Sequence, residues 1–150
     1  MYILNGTKYS DVIELVLSIL KSYELDEIFD NYNDEGLIVF FRPYFKFASG
    51  ELEIQNSSID LSRNDEYDCF VNVLTDGQQL IVAKYVTIGY LTRETYDILQ
   101  MKLHLQDGDF KTYAEQKNLE AKQNALISLK EEAGWNVNKI GYNSTNVWRS

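Results

Sequence analysis

The stretch LTDGQQLIVAKYVTIGYLT, residues 74–92, decides between a helical protein and a sheet protein. Asp76-Gly77 before a run of β-branched and aromatic residues is typical of a hairpin turn that leads into a strand. Thr75 with Gln78 three residues later is instead typical of a capping box at the start of a helix. The two interpretations put the same apolar side chains into different architectures.

The length of this apolar run favours the helix. A strand over residues 79–90 would be about twice the usual length, and the run does not alternate between apolar and polar side chains. We therefore predict a helix that begins after Thr75 and ends near Gly89 or Leu91. Because the run has almost no polar face, this helix should be central and buried. The alternative is an α+β fold with a central hairpin at Asp76-Gly77.

Helical periodicity also appears on both sides of this stretch. Residues 10–23 have apolar residues at helical spacing, with Asp11 and Glu14 as a capping pair, and a short helix is predicted over 25–31. A further helix is predicted from Thr92, with one apolar stripe made of Tyr96, Leu99 and Leu103, and the turn-forming residues 106–109 should end it.

The longest helical pattern is near the C-terminus. It begins with Thr112 and Glu115 as a capping pair and runs to Ala133, with Gly134 in the position of a helix stop. Its narrow apolar stripe consists of Leu119, Leu126, Leu129 and Ala133. Such a helix packs along one edge and shows its remaining surface to solvent or to a neighbour.

Two segments are less regular. Residues 37–48 fit either a strand, in which Pro43 would require a sheet edge, or a helix that Pro43 begins or kinks. Residues 56–68 are polar and rich in turn-forming types, which predicts a loop with one helical turn from Asn64. The fold class predicted from all these patterns is mainly α, a small helical bundle with a long C-terminal helix and an extended C-terminal arm.

The chain of 150 residues is long enough for one domain with a real core. We predict a helical domain over residues 1–134 and a C-terminal arm over residues 135–150 that becomes ordered by assembly. The arm is low in charge and rich in Asn and Ser, so a free monomer would have little reason to order it. Its irregularly spaced large apolar residues are the candidate interface residues, namely Trp135, Ile140, Tyr142, Val147 and Trp148.

Charge and hydropathy limit the partners. The 14 basic and 23 acidic residues give a formal net charge of −9, which opposes attraction to phosphates, so specific nucleic-acid binding is not expected. Asp11 and Glu14 interrupt the only N-terminal run that resembles a signal-peptide core, and no run reaches the length of a membrane span. We therefore predict no signal-peptide export and no membrane insertion.

The residue types that carry chemistry are sparse. His104 is the only histidine, and Asp107 and Asp109 follow it, but this pattern is more typical of a helix end and a turn than of a base or a metal site. Cys69 is the only cysteine and is followed by Phe70, which indicates a buried thiol. A calcium loop beginning at Asn31 would place Arg42 where a glutamate is needed. We predict no enzymatic activity, no metal and no cofactor.

Three segments, taken in order, resemble neck or head-to-tail adaptor proteins of tailed bacteriophages. They are DVIELVLSILKSYEL (residues 11–25), IDLSRNDEYDCFVNVLTDGQQLIVAKYVTIGYL (59–91) and KLHLQDGDFKTYAEQKNLEAKQNALISLKEE (102–132), which together cover over half of the chain. The resembling pattern is an N-terminal helix, a loop with Asp60-Leu61-Ser62, a capped central helix, and a turn that enters a long final helix. The chain departs from this pattern at Gly77 and Gly89.

The resemblance implies a structural role in the virion. Such a protein forms a homo-oligomeric ring, binds the portal on one side and another neck or tail protein on the other, and surrounds the DNA channel. It would be assembled in the bacterial cytoplasm and would remain in the virion. A net negative ring would let DNA slide, because a wall that attracts phosphate would retard it.

An alternative of a different class is a monomeric acidic inhibitor or immunity-type protein that blocks a nuclease or another nucleic-acid enzyme. Its basis is the set of acidic positions that could mimic a phosphate backbone, namely Asp26-Glu27, Asp30, Asp34-Glu35 and Asp65-Glu66-Asp68. Solvated helix faces and loops carry similar clusters. The oligomeric state separates the two hypotheses.

Overall fold

The computed structural model describes residues 6–55, 57–104 and 113–146, without the side chains of residues 98, 100–104, 113–118 and 140–146. Within these ranges the chain forms helices α1 (Tyr9–Ser22), α2 (Asp34–Ile54), α3 (Asp76–His104) and α4 (Tyr113–Asn146) and a short 3-10 helix, Glu27–Phe29. Strands β1 (Arg63–Asn64) and β2 (Cys69–Phe70) form a small antiparallel hairpin. The predicted mainly α bundle with a long C-terminal helix is confirmed.

Thr75 and Gln78 start α3 as the sequence predicts. The Thr75 backbone N–H donates to Gln78 Oε1 over 3.0 Å, and the Gln78 backbone N–H donates to Thr75 Oγ1 over 3.2 Å. This is a complete capping box, which satisfies two amide groups that would otherwise lack partners. Asp76 and Gly77 belong to the first turn of α3, so the alternative hairpin at this position is wrong.

The predicted break in α3 is also wrong, because the helix continues through Gly89 and Thr92 to His104. The Thr92 hydroxyl donates to the Ile88 carbonyl over 2.7 Å, and that of Thr95 donates to the Leu91 carbonyl over 2.7 Å. These threonines therefore bond back into the helix and do not begin a new one. The sequence alone could not separate these two uses of a threonine.

Helix α2 settles the ambiguity of residues 37–48, which are helical throughout. Asn33 caps the helix by accepting a hydrogen bond of 2.7 Å from the Gly36 backbone N–H. Pro43 lies inside the helix, where it cannot donate to the carbonyl of Val39. Val39 is exposed, so solvent can satisfy this carbonyl. The unusual proline is thus accommodated on the outer side of α2.

Helix α3 is the centre of the bundle and packs against α1, α2 and α4. Its central position agrees with the prediction from its apolar composition. Tyr90 of α3 contacts an aromatic cluster that includes Phe29 at 5.5 Å and Phe40 at 5.8 Å between ring centroids. Gly89 allows the ring of Phe47 to lie directly against the α3 backbone. Most of the buried side chains of α1 and α2 belong to the same core.

The hairpin closes one end of this core. The Phe70 backbone N–H donates to the Thr7 carbonyl over 2.8 Å, and a side chain at Gly6 would collide with the Phe70 carbonyl. Tyr9 stacks on Phe45 with 4.6 Å between centroids and donates a hydrogen bond of 2.6 Å to Asp65 Oδ1. Burial, and after it the Asp65 carboxylate, raises the pKa of Tyr9 above its ordinary value.

The hairpin is also tied to α2. Arg42 Nη2 lies 2.6 Å from Asp68 Oδ1, and Asp68 has a left-handed backbone with φ of 52°. Asn64 Oδ1 accepts a hydrogen bond of 3.1 Å from the Glu66 backbone N–H, which makes a turn where the sequence predicted a helical turn. Cys69 is buried in β2, as predicted.

Three predicted helix boundaries need correction. Helix α1 begins at Tyr9 with Lys8 as its N-cap, so Asp11 and Glu14 are not a capping pair. The predicted helix over 25–31 is the 3-10 turn Glu27–Phe29. Helix α4 does not stop at Gly134 but runs to Asn146, because Val137 is buried on α3 beyond the glycine. The predicted turn at residues 106–109 lies outside the described residues.

No helix in the described parts of the chain is both long enough and apolar enough to cross a membrane.

Replacing Gly89 by alanine should destabilise the bundle. A Cβ at this position would lie 2.6 Å from Phe47 Cδ1, so the ring must move. We expect Gly89→Ala to lower the free energy of unfolding by about 1–2 kcal/mol, since overpacking exceeds the gain in helix propensity. Urea unfolding followed by circular dichroism measures this change.

Gly50→Ala in α2 is the matched control, because a Cβ there meets no described atom within 4 Å. It should raise the free energy of unfolding by up to about 1 kcal/mol. In a Phe47→Ala background Gly89→Ala should become stabilising as well. Equal effects of Gly89→Ala and Gly50→Ala in the wild-type background would contradict the proposed close approach.

Candidate interaction surface

Helix α4 lies at the edge of the bundle and packs mainly on α3. With 34 residues it is ~51 Å long. The predicted apolar stripe is confirmed, because Leu126 is partly buried in the core and the other buried residues on α4 are Leu119, Ala125, Leu129, Ala133 and Val137. The rest of its described surface faces solvent. A helix with one buried stripe leaves a long free face for a partner.

Polar contacts fix how α4 lies along α3. Lys84 Nζ donates a hydrogen bond of 2.6 Å to Asn136 Oδ1 and lies 3.5 Å from Glu132 Oε2. Lys122 Nζ lies 3.8 Å from Glu94 Oε2. Since Lys84 meets the later part of α4 and Glu94 meets the earlier part, the two helices are antiparallel. The Lys84 side chain is only 12% exposed, so its stem packs between the helices while its ammonium group reaches α4.

An exposed tryptophan lies beside the Lys84 contact. Trp135 is 76% exposed and borders an open hollow of about 480 Å³ whose other lining residues are Lys84, Glu131, Glu132 and Asn136. Ile127, Glu131 and Trp135 follow one another at intervals of four residues and are all exposed. They therefore share one side of the helix. We call these three residues the Trp135 face.

The predicted interface residues can be placed only in part. Trp135 is exposed on α4. Ile140 and Tyr142 belong to the α4 backbone, but their side chains lie outside the described residues, as do Val147 and Trp148 altogether. An extended arm from residue 135 is wrong for residues 135–146, which are helical. The buried stripe of α4 crosses Gly134 without interruption from Ala133 to Val137, so the glycine does not end the helix.

A second exposed surface lies on α3 and was not predicted. Arg93 has a side chain that is 69% exposed, and Tyr96 is 61% exposed. Asp97 is exposed beside them, with its Oδ2 at 4.0 Å from Arg93 Nε. We call Arg93, Tyr96 and Asp97 the Arg93 face. The sequence suggested that Tyr96 and Leu99 belong to a buried stripe, but both are exposed.

A polar cleft of about 440 Å³ lies between α2 and the loop before the hairpin, where Glu53, Asp60, Arg63 and Asp65 are among its lining residues. Asp60 Oδ1 accepts hydrogen bonds from the Ser62 backbone N–H and hydroxyl over 3.0 and 2.6 Å. These bonds lower the pKa of the Asp60 carboxyl. Asp65 accepts from Tyr9. Two carboxylates of this cleft thus hold the loop and the core in place.

The described residues that the sequence suggested for catalysis or metal binding lie at the ends of helices. His104 is the last residue of α3, and Asp107 and Asp109 lie outside the described residues. Asn31, Asn33 and Glu35, considered for a calcium loop, precede or begin α2, and Asn33 serves as its cap. Among the residues with described side chains, no group of three or more histidines, cysteines and carboxylates is placed to hold a metal ion.

Comparison with known proteins gives no match to a family model, to a curated protein or to a solved structure. Two of the exposed surfaces on the described residues are the Trp135 face on α4 and the Arg93 face on α3, and other exposed apolar side chains include Ile54, Tyr67 and Val73. Both consist of large side chains that a partner can cover.

Replacing Lys84 by methionine should loosen α4 without removing the packing of the lysine stem. The substitution removes the hydrogen bond to Asn136 and the contact with Glu132. We expect the free energy of unfolding to fall by about 1–2 kcal/mol. Amide hydrogen exchange in α4 should become faster, as measured by mass spectrometry. Glu131→Gln, a nearby change on the exposed side, should leave both measurements unaltered, and equal effects of the two variants would contradict this assignment.

Proposed function

We propose that the protein is a virion structural protein, a neck or head-to-tail adaptor subunit of a tailed bacteriophage. In this role copies of the chain form a ring around the DNA channel and join the portal protein to further neck or tail proteins. The observation that carries the proposal is the exposed Trp135 on the free side of the long helix α4. Tryptophan is among the residues most enriched at binding hot spots, and a partner that covered this indole ring would remove a large apolar area from water.

The presence of two different exposed faces also supports a ring. A closed ring of identical subunits uses heterologous contacts, in which one surface patch meets a different patch on the next copy. The Trp135 face on α4 and the Arg93 face on α3 are two such patches. A single self-complementary patch would instead favour a twofold dimer.

The charge of the chain fits a channel that DNA traverses. A net charge of −9 repels phosphate, so a ring of these subunits would not hold DNA by nonspecific attraction. The protein would reside in the virion after assembly in the bacterial cytoplasm. Its partners would be the portal protein, other neck or tail proteins and copies of itself.

The alternative of a monomeric acidic inhibitor finds less support. Such an inhibitor needs a concentrated acidic surface that is free to mimic phosphates. In the cluster at residues 65–68, Asp65 accepts a hydrogen bond from Tyr9 and Asp68 pairs with Arg42. Glu94 and Glu132 also lie near lysines of the same bundle. Several carboxylates are therefore engaged inside the chain.

Assembly with a portal protein tests the proposal. The chain should copurify with the portal protein from the same genome, and native mass spectrometry should show several copies on each portal ring. A chain truncated after Lys139 retains the buried stripe up to Val137 and should fold, as circular dichroism can verify. We expect the truncation to reduce portal binding at least about tenfold, since it removes Ile140, Tyr142, Val147 and Trp148.

A compact monomer that ignores the portal and inhibits a nuclease would favour the alternative. Portal binding that survives truncation unchanged would keep the adaptor role but remove the predicted C-terminal interface residues. A second control is Trp135→Ala in the full chain, which removes the exposed indole and leaves the rest of the C-terminal segment present.

A further inference from the structure

The Trp135 face and the Arg93 face have complementary chemistry. The Trp135 face presents an exposed indole ring and the Glu131 carboxylate one turn before it. The Arg93 face presents an exposed guanidinium group and the Tyr96 ring. A guanidinium group stacks on a tryptophan ring and at the same time donates hydrogen bonds to a carboxylate from its edge. The guanidinium group of the Arg93 face can therefore bind both the indole ring and the carboxylate of the Trp135 face.

The two faces are separated along the helix pair. The Trp135 face lies at the level of Lys84, where Lys84 binds Asn136, and the Arg93 face lies at the level of Glu94, which contacts Lys122. Lys84 and Glu94 are about ten residues apart on one helix, which corresponds to ~15 Å. At this separation the guanidinium group of Arg93 does not reach the Trp135 ring of its own chain.

Within one copy, Arg93 neighbours the Tyr44 hydroxyl group of α2 and pairs loosely with Asp97. Its Nε is 4.0 Å from Asp97 Oδ2, and both side chains are more than 60% exposed. Exposed ion pairs at this spacing contribute only a few tenths of a kcal/mol. Glu132 already lies near Lys84, whereas Glu131 extends from the outer side of α4. Arg93 can therefore leave Asp97 at little cost, and because its side chain is 69% exposed beside Tyr44, a partner can reach it there.

We infer that the Trp135 face of one copy binds the Arg93 face of a second copy, with the guanidinium group of Arg93 placed between the Trp135 ring and the Glu131 carboxylate. Tyr96 and Ile127 supply apolar area around this contact. Because the two faces differ and lie at different levels of the helix pair, the contact is heterologous and can be repeated from copy to copy. This inference rests on the proposed function, since it names the subunit contact of the proposed ring.

Photo-crosslinking between copies tests the contact directly. Ile127 is replaced by p-benzoylphenylalanine, which leaves Trp135 and Glu131 in place, and this protein is mixed with a ¹⁵N-labelled wild-type copy. Trypsin cleaves after Lys84, Arg93 and Lys102, so the peptides Tyr85–Arg93 and Glu94–Lys102 together report the Arg93 face. We expect crosslinks from position 127 to the labelled form of either peptide, or of the two joined where a crosslink at Arg93 prevents cleavage. Crosslinks only to other labelled peptides, or none, would overturn the inference.

Charge reversal supplies an independent measurement. Glu131→Arg and Arg93→Glu should each weaken association of the copies about tenfold, alone or on the portal ring, as measured by sedimentation velocity and native mass spectrometry. The double variant should recover most of the lost association, since it restores an opposite-charge pair. The matched control is Glu120→Arg, which reverses another exposed carboxylate on α4 and should have a much smaller effect.

The outcomes separate this inference from the proposed function. If multiple copies bind the portal but the double variant recovers nothing, the subunit contact is wrong and the adaptor role stands. If the chain binds neither the portal nor itself, the contact and the adaptor role both fail. Equal losses from Glu120→Arg and Glu131→Arg would indicate a general charge effect and would also overturn the contact.

Discussion

Burial of α3 on three sides is the constraint on which the rest of the structure depends. The capping box of Thr75 and Gln78 begins the helix, and the hydroxyl groups of Thr87, Thr92 and Thr95 bond back to carbonyl groups four residues earlier. The bonds of Thr87 and Thr95 satisfy hydroxyl groups that are buried inside the apolar bundle, whereas Thr92 is exposed. Because the buried hydroxyl groups of α3 have hydrogen-bond partners within the helix, α1, α2 and α4 can each bury an apolar stripe against it. A helix that broke at Gly89 would have split this core in two.

The same arrangement explains why α4 keeps a free face. Helices α1 and α2 cover α3 from the other sides, with Phe40 of α2 and Phe29 of the 3-10 helix in the aromatic cluster around Tyr90, so α4 is left at the edge with one stripe to bury. Two of its buried residues, Ala125 and Ala133, are small and allow α4 to lie close to α3. Small residues bury little apolar area. The hydrogen bond from Lys84 to Asn136 and the ion pair of Lys84 with Glu132 therefore help to hold the later part of α4 on α3. The remaining surface of α4, including Trp135, is available for assembly.

The sequence predicted the features that depend on local chemistry. The Thr75 and Gln78 cap, the central position of α3, the buried thiol of Cys69 and the apolar stripe of α4 all follow from residue type and spacing. The errors arise where local chemistry allows two outcomes. Thr92 can cap a helix or bond back into one, Gly134 can end a helix or lie within it, and Pro43 fits a strand edge or the outer side of a helix. In each case the packing of distant residues, such as Val137 on α3, decided the outcome.

The candidate interaction surface also has one part that the sequence predicted and one part that it did not. Trp135 stood out in the sequence because a large aromatic residue in a polar segment needs a partner. The Arg93 face did not stand out in the sequence, because Tyr96 and Leu99 have the spacing of a buried apolar stripe. The sequence does not show at which residue the other helices stop covering α3. Tyr44 of α2 neighbours Arg93, and Thr95 is the last residue with a described side chain that is buried on α3. Beyond that level the spacing of apolar residues in the sequence continues, whereas the described side chains of Tyr96 and Leu99 are exposed. In the proposed assembly a neighbouring subunit would cover Tyr96 as well as Trp135, so the unpredicted face and the predicted one would have the same physical role.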